Sequence, residues 1–306
     1  MTRVSTGSNY SIMTSNLMRA QQRQNILGEQ VASQKVANDL KGYSKNAEVL
    51  TAMRSAQAKI EGLIDQTKLV ANRLDMQDTG IGQVADGIQT GRAAIENAMA
   101  AGGATLMQQL EAAFSNVTQG VNTKSNGRYV FAGALTDTAP TTANSMADLT
   151  VAPTTADLFK NDTYIATNRI DQQTTVQTGV LGDALATKAF DAFKQVQAYV
   201  EANGPFGSPL TSTQHTFLEG MVGTFKAAHT DALNTQGKNG LVQKRFENAG
   251  VELKDQADTL TGMVGGIVDV DMAEAVTRLE AAQLAVQAAA QVFASLQSSS
   301  LLNVLK

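Results

Sequence analysis

The sequence predicts a mainly α fold: an elongated rod of long antiparallel helices, coiled-coil-like, with a small β-containing distal region and with the N- and C-terminal helices paired. Three observations predict it. All four prolines (Pro140, Pro153, Pro205 and Pro209) sit in the middle of the 306 residues. Proline in a helix interior costs about 3 kcal/mol, so the two proline-free arms are open to long helices. Along both arms apolar residues recur at alternating steps of three and four, the spacing of a seam against a partner helix. Finally, hydrophobic residues make up 43% of the chain, but aromatics only 5%, with no Trp. Filling by Ala, Leu, Val, Ile and Met suits narrow helix–helix seams better than a thick globular core.

The first helix carries its seam on Tyr10, Met13, Leu17, Ala20, Gln24, Leu27 and Val31. A weak point follows at Lys41-Gly42-Tyr43-Ser44. The second seam is longer: Met53, Ala56, Ile60, Leu63, Thr67, Val70, Leu74, Gln77, Ile81, Val84, Ile88, Gly91, Ile95 and Ala98. At a rise of 1.5 Å per residue it spans roughly 65–70 Å. Gly80, Gly82, Gly87 and Gly91 weaken this helix locally and mark either a bend or a close helix approach. Ala101-Gly102-Gly103 ends it. A shorter helix with Leu106, Leu110, Phe114, Val117 and Val121 on one face comes next.

The period then changes. Asn126-Gly127 is a turn signal, and Arg128-Tyr129-Val130-Phe131 alternates as a strand does. Residues 135–183, rich in Thr, Asp and Ala, read as a small β-containing excursion with strands near 164–170 and 174–180. Helical spacing returns over 183–202. Gly204, Pro205, Gly207 and Pro209 make a loop, and two helices are expected after it, separated near residues 234–240. The last helix is expected after Gly265-Gly266, with Asp271 and Glu274 as a D-x-x-E capping pair.

The C-terminal segment is the most informative. Leu279, Ala282, Val286, Ala289, Phe293 and Leu296 form another seam, and residues 281–305 contain no charged side chain. The wet face of a monomer's surface helix should carry charge. A membrane helix is rejected, because nine of those 25 residues are Gln, Ser or Asn. An ordinary buried core helix and a helix enclosed within an assembly both remain; the small Ala faces and satisfiable Gln side chains favour the assembly. The segment 10–40 is its natural partner. Each would be unstable alone, since helix nucleation is costly and little is buried. Both termini are therefore expected to order on polymerisation.

Composition removes other classes. A net charge of −4 gives no basic field for nucleic acid. The absence of Cys excludes disulfides, thiolate zinc sites and cysteine nucleophiles. No run of about 18 apolar residues predicts membrane insertion. His215 and His229 lack metal-ligand spacing, the glycine pairs lack the rest of a nucleotide fingerprint or P-loop, and no G-x-S-x-G elbow occurs. Neither a catalytic or metal residue nor a cofactor is expected, and the chain is not read as an enzyme.

Several stretches resemble the flagellin and hook–filament junction protein family. The opening Arg3-Val4-Ser5-Thr6 with Tyr10 is similar to the junction branch. So is Asn126-Gly127-Arg128-Tyr129-Val130-Phe131-Ala132-Gly133, the most specific match. Asp269-Val270-Asp271-Met272-Ala273-Glu274-Ala275 resembles the acidic opening of the family's last helix. Ser300-Leu301-Leu302-Asn303-Val304-Leu305 resembles its close. Ser33-Gln34-Lys35-Val36-Ala37-Asn38-Asp39-Leu40 departs from the filament-flagellin pattern, lacking its glycine and second aspartate. This favours the junction branch over the alternative, a filament flagellin; another fibrous surface or phage-fibre protein is a remote alternative.

The resemblance implies a structural subunit of the bacterial flagellar axis, polymerising through its terminal helices. Helix pairing would rest on Tyr10, Met13, Leu17, Leu27, Val31, Met272, Val276, Leu279, Val286, Phe293, Leu296, Leu301 and Leu302. The family motif would rest on Gly127, Arg128, Tyr129, Val130, Phe131 and Gly133. Residues 1–43 with 270–306 would form the polymerisation core, 44–134 with 184–269 a helical rod with a β-hairpin, and 135–183 an exposed β-rich region. The implied partners are copies of the chain, other axial proteins of hook and filament, and an export chaperone and export apparatus. The implied location is the extracellular flagellum, reached without a cleaved signal peptide.

Overall fold

A computed structural model of the chain describes residues 2–171 and 173–304, with side chains described over 10–171 and 173–295. The fold is mainly α. Helices α1 (Thr2–Ser33), α2 (Ala47–Ala101), α3 (Leu106–Val121), α4 (Met146–Val151), α5 (Gly182–Asn203), α6 (Ser212–Val268) and α7 (Met272–Val304) are joined by two small antiparallel hairpins. These are β1 (Lys124–Ser125) with β2 (Arg128–Tyr129), and β3 (Thr167–Arg169) with β4 (Thr175–Gln177). No described helix is long and apolar enough to cross a membrane. Two compact units emerge, Met1–Ile60 with Gln256–Lys306, and Glu61–Asp255.

In the unit Glu61–Asp255, α2 and α6 run antiparallel: Asn239 Nδ2 donates to the Leu74 carbonyl (3.1 Å), and Gln236 Nε2 donates to Asp78 (3.4 Å). Every seam position from Thr67 to Ala98 is buried. The five apolar residues of the α3 face are buried as well. Phe114 meets Phe190 and Phe193 of α5 edge-on at 5.1 and 5.4 Å, and Phe193 meets Phe225 of α6 at 4.8 Å. Such tilted ring pairs favour each other beyond their burial. A few phenylalanines thus do most of the filling where four helices converge.

The glycines of α2 mark a close helix approach. A Cβ on Gly80 would lie 2.9 Å from the Gly120 carbonyl oxygen, and one on Gly87 would lie 2.8 Å from that of Ala113. Gly120 answers from α3, where a Cβ would meet the Gly80 carbonyl oxygen at 2.7 Å. The helix continues unbroken through all four glycines.

Two expectations are corrected. The pair of helices expected on either side of residues 234–240 is one 57-residue helix, α6. The a/d rhythm passes straight through the turn-like sequence: Phe225, Ala228, Ala232, Asn239, Phe246, Ala249 and Leu253 are all buried. Burial along α2 outweighs the roughly 1 kcal/mol that each of Gly237 and Gly240 costs a helix. α6 also runs through Gly265-Gly266, and the last helix, α7, begins after them at Met272, where it was expected. At the N-terminal end, α1 stops at Ser33, well before the weak point expected at 41–44; Gln34 adopts φ 60°, and a 3₁₀ turn occupies Leu40–Tyr43.

The middle region is less β-rich than its composition suggests. Besides the short β3–β4 hairpin it holds α4 and a 3₁₀ turn, Thr155–Leu158. Carboxylates cap both starts. Asp148 accepts from the Asn144 and Ser145 amides (2.8 and 2.9 Å), and Asp157 accepts from the amide and hydroxyl of Thr154 (3.0 and 2.8 Å). These bonds hold both carboxyls below the usual carboxylate range.

Candidate functional site

The terminal helices form an antiparallel pair within the unit Met1–Ile60 with Gln256–Lys306. At one end the Tyr10 and Phe293 rings lie 5.1 Å apart. At the other, the backbone closes the pair: Val36 N–H donates to the Val268 carbonyl (2.8 Å) and Val270 N–H to that of Gln34 (3.1 Å). Asp271 then starts α7 as N-cap, accepting from the Ala273 and Glu274 amides at 2.9 and 3.1 Å. Its partner in the expected capping box, Glu274, is engaged with Arg278 instead, at 2.6 Å.

The predicted pairing residues divide into two sets. Met13, Leu17, Leu27 and Val31 of α1, and Leu279, Val286 and Phe293 of α7, are half-buried on facing sides. Tyr10 keeps 53% of its surface exposed despite its ring contact, and Met272 and Val276 are also exposed. Among the described side chains of α7, Ala275 and Ala282 hold the buried positions. Small residues at the contact let the backbones approach and leave the larger neighbours outside. The side chains of Leu296, Leu301 and Leu302 lie outside the described residues.

Among the described side chains of α1 none is fully buried. Large apolar side chains point away from the pair: Ile12, Met18 and Ile26 on α1, and Leu284 and Val292 on α7, the last two within the uncharged stretch. Leu284 is 66% exposed and Met18 64%. A groove beside the pair is lined by Arg19, Arg23, Ile26 and Arg278 among others.

A joint of a different kind closes the base of the pair. The Tyr43 hydroxyl donates to the Ala37 carbonyl (2.5 Å) and accepts from the Ala37 amide (3.2 Å). Its ring packs with Leu50 and Val268. Asp39 caps the 3₁₀ turn through the Gly42 amide at 3.0 Å.

The motif at 126–133 is anchored residue by residue. Asn126 and Gly127 both have positive φ (51° and 80°), as a two-residue type I′ hairpin turn requires. Arg128 is exposed, and Tyr129 lies 4.4 Å under the Lys124 ammonium. Val130 and Phe131 are buried; Val130 N–H donates to the Thr123 carbonyl, and the Phe131 carbonyl accepts from Gly182 N–H. Arg73 of α2 reaches the Val130 carbonyl at 3.4 Å, and burial pushes its guanidinium below the usual range. Gly133 has φ +70°, and the Asp162 carboxylate occupies the place where a Cβ would sit. Asp162, which sequence reading missed, also accepts from the Ala134 and Tyr164 amides, both at 3.0 Å. Nothing in its local sequence marks it; its partner Ala134 is 28 residues away.

Residues 222–305, just over a quarter of the chain, match the family described as bacterial flagellin C-terminal helical region. No curated protein sequence matches significantly. Among solved structures, the fold is similar to a protein of Vibrio parahaemolyticus assigned as flagellar hook-associated. That alignment has a TM-score of 0.60 and 10% identity, covering 76% of this chain and 99% of the other. It is also similar to FlgL of Bacillus cereus, with a TM-score of 0.55 and 15% identity, covering 70% of this chain and 99% of that one. The solved structures share the fold; the sequence match falls on most of α6 and on α7, the helix whose uncharged stretch and exposed Leu284 and Val292 are described above. The C-terminal part of the chain, residues 222–305, is thus similar in sequence to the bacterial flagellin C-terminal helical region, and the fold over most of the chain is that of the two solved structures.

Proposed function

We propose that this chain is a structural subunit of the bacterial flagellar axis, polymerising through α1 and α7, and that it is of the hook–filament junction type. One observation carries the polymerisation reading: α7 is uncharged from residue 281 onward and leaves Leu284 and Val292 exposed beside an α1 that buries no described side chain fully. Such a pair is stabilised by enclosure among copies of itself. In this reading residues 1–43 with 270–306 form the polymerisation core, 44–134 with 184–269 the helical stem, and 135–183 face solvent. Tyr10, Met13, Leu17, Leu27, Val31, Leu279, Val286 and Phe293 pair the helices. Export to the flagellum without a cleaved signal peptide, with a chaperone and the export apparatus as transient partners, belongs to the same reading, as does a purely structural, non-catalytic role.

The similarity to FlgL and the motif at 127–133 support the junction type. The filament-flagellin alternative is favoured by one observation, the family match over residues 222–305. Immunogold electron microscopy with an antibody against residues 135–183 separates the two. Gold confined to the hook–filament boundary is the expected result. Gold along the filament would replace the junction reading with a filament subunit, and unlabelled flagella would remove the flagellar role. Polymerisation is tested separately by a variant lacking residues 272–306, expected to stay soluble and fail to assemble with the full-length chain.

A further inference from the structure

In the unit Glu61–Asp255 the α2–α6 seam is apolar except at a few positions. Gln77 is 0% exposed, yet neither its amide nitrogen nor its amide oxygen has a hydrogen-bond partner within the protein. Asn239, 3% exposed, donates from Nδ2 to the Leu74 carbonyl but leaves Oδ1 unpartnered. The two residues stand at one level of the pair. Asp78 with Gln236 on one side and Asp75 with Gln243 on the other bracket them across the two helices, at 3.4 and 3.3 Å. Nearly three turns from Gln77 along α2, Thr67 is 5% exposed with an unpartnered hydroxyl.

These polar positions coincide with a gap in the core. The main cluster begins on α2 at Ile81 and contains all the α3 and α5 packing. The cluster on the other side of Gln77 is small: Val70, Leu74 and Phe246, with Ile170, Val176 and Val242 against it. It lies between Thr67 and the Gln77–Asn239 layer. Buried polar groups without full partners weaken the layer they occupy, and a polar residue in a helical seam gives up stability there.

We infer that the Gln77–Asn239 layer divides this helical pair into two cooperative parts. Residues 61–76 with 240–255 open as a local unit while the phenylalanine core from Ile81 onward stays closed. Opening of one part without the other is the normal behaviour of contiguous units that share few apolar contacts. The layer acts as the uncoupler because it interrupts side-chain packing without interrupting either helix.

Hydrogen–deuterium exchange with peptide-level mass spectrometry on the full chain tests this. Wild type is expected to exchange amides of 61–76 at least about tenfold faster than those of 81–98. The double variant Gln77→Leu with Asn239→Leu, which closes the gap with apolar volume, is expected to shrink that difference several-fold. Leu74→Ala is expected to speed exchange in 61–76 and leave 81–98 unchanged. Equal protection on both sides of Gln77 in wild type would overturn the inference without any variant. So would a Leu74→Ala effect spread evenly over both segments, or a wild-type difference that the double substitution leaves intact.

Discussion

Gly87 sets two effects of known size against each other. Replacing a helix-interior glycine by alanine ordinarily favours the helix by about 1 kcal/mol. Here the new Cβ would lie 2.8 Å from the Ala113 carbonyl oxygen, 3.0 Å from the Val117 amide nitrogen and 2.7 Å from Val117 Cγ2. The first two are backbone atoms of α3, so no rotamer change relieves them. Carbon contacts are comfortable at about 3.5–4.0 Å, so α2 and α3 must separate by roughly 0.5–1 Å. That separation loosens Val84, Phe114 and Val117, all fully buried at the same contact. Overpacking of this kind costs about 1–3 kcal/mol, and rigid backbone neighbours place Gly87 at the upper end. The net expectation for Gly87→Ala is a loss of about 2 kcal/mol, after subtracting the propensity gain of about 1 kcal/mol.

Gly220 is the internal control: mid-helix in α6, exposed, and with nothing within 4 Å of an added Cβ. Gly220→Ala is expected to gain about 0.4–1 kcal/mol. For a unit of this size each kcal/mol moves Tm by about 2–4 °C, so the two variants should fall on opposite sides of wild type, separated by roughly 5–12 °C. Thermal unfolding followed by circular dichroism at 222 nm, with urea midpoints as a second measure, reads both. Gly87→Ala unfolding at or above the wild-type temperature would refute the close-approach argument, since propensity alone would then have decided.

Three further outcomes follow from the same geometry. Phe114→Ala empties the centre of the ring cluster and should cost about 3–5 kcal/mol, read as a lowered urea midpoint with unchanged slope. Tyr43→Phe removes the hydroxyl that both donates to and accepts from Ala37, and should cost about 1–2 kcal/mol, with faster amide exchange confined to the joint at residues 35–46. Acid should loosen the caps of the middle region: Asp148, Asp157 and Asp171 all titrate below their ordinary value because they accept local hydrogen bonds, chiefly from backbone amides at Asp148 and Asp171 and from the Thr154 hydroxyl at Asp157. Their folded values are depressed. The stability they add is therefore present above the ordinary Asp range and is lost as pH falls through and below it. Exchange of the Asn144, Ser145 and Thr154 amides should rise below about pH 4, while the helices of the phenylalanine core keep their protection; a uniform response of both regions would contradict the assignment.

Much of the fold was present in the residues themselves. The three–four spacing of α2 identified its buried face from Thr67 to Ala98, and the α3 face was correct at all five positions. The Asn126-Gly127 turn was equally legible, because positive φ at two successive residues has few other solutions. These are local rules: period, propensity and turn chemistry act within a few residues. Helix continuity through 234–240 was decided elsewhere. The local signals there favour a turn, and only the surface of α2, with the Leu74 carbonyl waiting for Asn239, makes one helix the better solution.

The same division runs through the proposed assembly surface. The absence of charge from 281–305 is the basis for proposing that α7 is enclosed, and it is a property of composition that needs no coordinates. Which side of α7 meets α1 was settled by the tertiary structure, which buried Ala275 and Ala282 and left Met272, Val276 and Leu284 outside. Periodicity gives a helix an apolar stripe but cannot rank a small residue against a large one within it. That choice depends on how closely two backbones approach, and the approach is a property of the pair.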